Sequence, residues 1–77
     1  MTNILIVEDS EDLAFGLRNN LEFEGYDVSV AHDGKMGLEM ATSNPPDLMI
    51  LDLTLPELDG LNVLERIRKT GSRLPIL

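Results

Sequence analysis

The chain has 77 residues, with 14 acidic against 6 basic side chains, a net charge of −8 and no cysteine. That length accommodates at most one small domain with a thin core, and the negative balance argues against nucleic acid or an anionic membrane as direct partners; it favours cations or basic protein patches, besides serving plain solubility. Disulfides and thiolate metal sites are excluded, a reducing cytoplasm fits, and with no basic segment after Met1 and no apolar run approaching about 18 residues, neither a signal peptide nor a membrane span is expected.

Ile4-Leu5-Ile6-Val7 is a non-alternating, β-branched apolar run, predicted to be a strand covered on both faces, and it ends in Glu8-Asp9. Asp9 or Ser10, either able to N-cap, opens a helix that carries Leu13, Ala14, Leu17 and Leu21 on one face; Gly16 weakens it and Gly25 stops it. Tyr26 to Ala31 alternates, with Val28 and Val30 on one side, as an edge strand does. Asp33 caps a second helix holding Met36, Leu38, Met40 and Ala41, which Asn44-Pro45-Pro46 ends. Leu48-Met49-Ile50-Leu51 repeats the pattern of the first run and delivers Asp52 to the C-terminal end of a strand, before a turn at Pro56 and Asp59-Gly60. Asp59 caps a third helix with Leu61, Val63, Leu64 and Ile67 inward and Glu65, Arg66, Arg68 and Lys69 outward, closed by Gly71, and Leu74-Pro75-Ile76-Leu77 begins a further strand. This βαβαβα order predicts an α/β fold with a parallel sheet.

Should the second strand lie outside the first and the third on its other side, Glu8, Asp9 and Asp52 share the crevice at the switch point of an open sheet. Crowded carboxylates recruit a cation. With oxygen donors only, that cation is a hard one: Mg²⁺, Mn²⁺ or, less readily, Ca²⁺. Carboxylates with Mg²⁺ suit phosphoryl transfer to an Asp nucleophile. The plainer explanation is that these acids cap helices, which fits Asp9 better than Glu8 or Asp52. His32 reads as a solvated loop histidine rather than a site residue, and Met36, Met40 and Met49 occupy core-like positions. No glycine-rich phosphate loop, dinucleotide fingerprint or EF-hand spacing occurs.

The run Ile4 to Asp9 and the segment from Asp47 through Asp52 and Pro56 to Gly60 together resemble the N-terminal part of a response-regulator receiver domain of two-component signalling. The resemblance covers the whole chain and is greatest to receivers attached to winged-helix DNA-binding output domains. It implies a flavodoxin-like doubly wound parallel sheet of strand order 2-1-3-4. It also implies Asp52 as phospho-acceptor from a histidine kinase, and Mg²⁺, or Mn²⁺ in its place, held by Glu8, Asp9, Asp52 and the backbone carbonyl of Thr54. Such a protein is a phospho-acceptor in signal transduction and transcription regulation, not a turnover enzyme.

By the same resemblance, residues 1–77 make up a partial receiver, lacking the rest of the fourth strand, a fifth strand and two helices. Lys35 and Lys69 match no family lysine, and a doubly wound domain needs on the order of 120 residues. The expectation is an impaired fragment that pairs as a homodimer through the uncovered side of its sheet. Two alternatives stand beside it. One is an inactive structural or engineered half-domain. The other is an aspartyl-phosphate phosphatase, against which Thr54 stands where the Asp-x-Asp loop of haloacid-dehalogenase-type enzymes has its second acid.

Overall fold

A computed structural model describes residues 2–51, 60–69 and 75–76. The strands β1 (Asn3–Val7), β2 (Asp27–Ala31) and β3 (Leu48–Leu51) alternate with the helices α1 (Glu11–Phe23), α2 (Gly34–Ser43) and α3 (Gly60–Lys69). The sheet is parallel, in the order β2-β1-β3, so β1 is central and β2 is an edge, as its alternation predicts. Ile76 forms an isolated parallel bridge with Met49, whose N–H donates to the Pro75 carbonyl at 2.9 Å, on the side of β3 where a fourth strand is expected. The expected features at Leu53, Pro56, Asp59, Gly71, Leu74 and Leu77 lie outside the described residues.

All four residues Ile4 to Val7 are buried, because alternate side chains of the central strand enter two different cores. Leu5 and Val7 join Ala31, Met49, Leu51, Ala41, Val63 and Ile67 beneath α2 and α3. Ile4 and Ile6 join Val28 on the α1 side, with Leu21, Val30, Leu48 and Ile50 at its margin. The expectation that β3 is covered on both faces holds for one of them: Met49 and Leu51 are buried while Leu48 and Ile50 are half-buried. The reason is placement, since α1 packs over β1 and β2.

Two helix faces differ from their apolar patterns. In α1, Ala14 is buried and Leu21 half-buried, but Leu13 and Leu17 are 62% and 39% exposed. At about 100° per residue, a face centred on Ala14 and Leu21 puts Leu17 at its shoulder and Leu13 a quarter-turn away. In α2 the face on the sheet is a stripe of small residues, Gly34, Gly37 and Ala41. A Cβ at Gly37 would stand 2.7 Å from Val7 Cγ2 and 2.9 Å from Cγ1, so the helix backbone rests directly on β1. Leu38 and Met40 flank this stripe half-buried, whereas Met36, expected in the core, points away and is 43% exposed. Met49 is fully buried, as expected. In α3, Val63 and Ile67 are buried, Leu64 is half-buried and the charged residues from Glu65 to Lys69 are exposed, as read from the pattern. Gly25 takes the left-handed conformation, with φ 95°, that ends α1.

Candidate functional site

The C-terminal ends of the strands carry the acidic pair. β1 ends at Val7, and the Glu8 N–H then donates to the Ala31 carbonyl at 3.0 Å, which ties the start of the β1–α1 loop to the end of β2. Glu8 is half-buried, and the Ser10 N–H donates to its Oε1 at 3.2 Å. Asp9 is exposed on the intervening bend.

Of the two residues able to cap α1, the chain uses Ser10. Its Oγ accepts a long hydrogen bond from the Leu13 N–H at 3.4 Å, and its carbonyl accepts from Ala14 at 3.0 Å. Helix capping therefore does not account for Asp9, which leaves both acids of the pair without that explanation. Asp33, by contrast, is a cap: its Oδ1 accepts from the Met36 N–H at 2.7 Å. His32, just beyond β2, is exposed.

The crevice itself follows from topology. The chain runs from β1 out to β2 and returns through α2 to β3 on the opposite side, so the strand order reverses between β1 and β3. There the register pairs Val7 with Leu51, and these residues immediately precede Glu8 and Asp52. Asp52 and Thr54 lie outside the described residues. Among the described residues, no group of three or more acidic, histidine or cysteine side chains is placed to hold a metal ion. Glu8 and Asp9 contribute carboxylate oxygens only, a donor chemistry that suits Mg²⁺, which typically takes one or two carboxylates and keeps several waters.

The opposite end of the sheet carries different features. The Asn3 N–H donates to Asp47 Oδ2 at 2.7 Å and the Asp47 N–H to the Asn3 carbonyl at 2.8 Å, a reciprocal clamp between the starts of β1 and β3. A groove of about 360 Å³ there is lined by Leu5, Ser29, Met40, Ser43, Pro45 and Pro46 among others. It lies at the far end of the strands from the acidic pair.

Residues 4–77 match the family model described as the response regulator receiver domain. The chain belongs to that family. The receiver chain is 49% identical over 74 residues to the response regulator MprA of Mycobacterium ulcerans, and this covers 96% of the chain and 32% of that relative. It therefore spans about a third of the length of the curated relatives it matches. Among solved structures, the receiver domain of Francisella response regulator 1452 superimposes with a TM-score of 0.95 at 30% identity, covering 99% of this chain and 63% of that one. The response regulator TrrA of Thermotoga maritima, in complex with Mg²⁺-BeF, gives a TM-score of 0.87 at 37% identity, covering 91% and 61%. The flavodoxin-like fold and the membership in two-component signalling implied by the sequence resemblance are thereby established.

Two contacts have no counterpart in the expectations above: the hold of the Ser10 N–H on Glu8, made by a residue expected only as a possible helix cap, and the seating of Gly37 on Val7. No residue type announces the bend at Asp9 that brings the Glu8 carboxylate back to the Ser10 N–H, and nothing in the residue pattern marks Gly37 as the point where α2 meets Val7.

Proposed function

We propose that this receiver takes a phosphoryl group from a histidine kinase onto Asp52, with Mg²⁺ held by Glu8, Asp9, Asp52 and the backbone carbonyl of Thr54. The observation that carries this reading is the register Val7–Leu51 at the switch point, because one covalent step beyond each partner, about 3.8 Å, come Glu8 and Asp52. In the transfer, an Asp52 carboxylate oxygen attacks phosphorus, the phosphorus–nitrogen bond to the kinase imidazole breaks, and the departing nitrogen keeps the electron pair. The metal, when bound, offsets charge on the phosphoryl oxygens. Glu8 and Asp9 orient the site and set the negative field that attracts the ion. The longer protein to which such a chain belongs is a cytoplasmic transcription regulator whose DNA-binding output domain responds to the state of Asp52.

Intact-mass measurement after exposure to acetyl phosphate with Mg²⁺ tests the reading. One phosphoryl group should add to the wild-type protein and none to Asp52→Asn. Labelling that survives Asp52→Asn overturns the assignment of the acceptor.

A further inference from the structure

We infer that Ser10 is the positioning residue of the acidic site: its backbone N–H fixes the Glu8 carboxylate for the metal, while its hydroxyl fixes the start of α1. This rests on the metal reading of Glu8 and Asp9 above. The observation is that one residue makes both connections, with its N–H 3.2 Å from Glu8 Oε1 and its Oγ 3.4 Å from the Leu13 N–H. Glu8 is itself tied to the end of β2 through the Ala31 carbonyl at 3.0 Å, so its backbone is held by the sheet and its side chain by the cap of the helix. A glutamate has three side-chain torsions to restrict. A half-buried carboxylate engaged by an N–H loses much of that freedom before any ion arrives, and such outer partners of metal-binding carboxylates commonly set affinity by ten- to a hundred-fold.

The two roles of Ser10 separate by chemistry. Ser10→Ala removes the hydroxyl and keeps the N–H. Ser10→Pro removes both, and the Ser10 φ of −79° lies within the range that proline adopts. The N-cap N–H also has no place in the helical ladder, so its loss breaks no bond within α1.

The test is a titration with Mn²⁺ alone, followed by water-proton relaxation, on protein whose fold is checked by far-UV circular dichroism. Ser10→Ala should bind within twofold of wild type while unfolding at lower temperature. Ser10→Pro should bind about tenfold or more weakly. In a Glu8→Gln background the proline should weaken binding no further, because the carboxylate it acts through is gone. Should the proline variant fail to fold, an amide-to-ester replacement at position 10 deletes the N–H alone and should show the same tenfold loss. Binding by the proline or ester variant within twofold of Ser10→Ala overturns the inference, leaving the metal reading in place. Absence of Mn²⁺ binding by wild type, or binding indifferent to both Glu8→Gln and Asp9→Asn, overturns the metal reading and this inference with it.

Discussion

Val7 and Gly37 set how closely α2 approaches the sheet, and Gly16 provides the contrasting case of a helical glycine at which an added side chain would meet no neighbour. Val7 is fully buried in the central strand, with both methyl groups inside 3 Å of where a Gly37 Cβ would stand. Neither the β-branched side chain nor the strand beneath it has room to yield, so an added methyl must push the helix away. Gly37→Ala should lower stability by about 1–2 kcal/mol, overpacking of about 1–3 kcal/mol being offset in part by the gain of up to about 1 kcal/mol in helix propensity. At Gly16 nothing lies within 4 Å of the added atom, so Gly16→Ala should keep the propensity gain and raise stability by about 0.5–1 kcal/mol. Urea unfolding midpoints of the two variants should therefore move in opposite directions. A raised midpoint for Gly37→Ala would show that α2 is not seated on Val7. Nothing in the one-dimensional pattern distinguishes these glycines, because the difference is the identity of the neighbour across the interface.

At the scale of elements, the legible features were those in which a local rule and the tertiary arrangement agree. Ile4 to Val7 reads as doubly covered and is buried throughout, since both cores meet on β1. The alternation of β2 marks an edge, and Asp33 caps α2 as its position before an apolar stretch suggests. α1 was less legible. Its leucines are spaced for a broad apolar face, yet the helix meets the sheet along Ala14 and Leu21, which leaves Leu17 at the edge of the contact and Leu13 about a quarter-turn outside it. The choice between Asp9 and Ser10 as cap was likewise open, both being good cap residues, and it bears on the site: with Ser10 capping, Asp9 is left to other work. As for the proposed site, the placement of Glu8 and Asp9 at the end of β1 was legible from the acids that end an apolar run, whereas the grip of the Ser10 N–H on Glu8 depends on a bend geometry that no residue type announces.

For the whole molecule, the net charge of −8 makes any cation stabilising to some degree, by relieving self-repulsion in the compact state. A specific Mg²⁺ site has to be separated from that background. Affinity should be modest, in the millimolar range, because Mg²⁺ sheds water reluctantly and the protein supplies few carboxylates. An ion that binds only the folded state stabilises by about 1.4 kcal/mol at ten times its Kd, which for a small domain is a rise of several degrees in Tm. The sign of a substitution at the site then depends on the ion. Asp9→Asn removes one negative charge next to Glu8 in a chain of net charge −8, so without Mg²⁺ the variant should unfold at or above the wild-type temperature. With Mg²⁺ the order should reverse, because the wild type gains the binding energy and the variant does not. Thermal scans in MgCl₂ and in NaCl matched for ionic strength supply the check, since screening acts equally in both salts while site binding acts in one. If Mg²⁺ raises the midpoints of wild type and Asp9→Asn by the same amount, the stabilisation belongs to the molecule's overall charge and not to the end of β1.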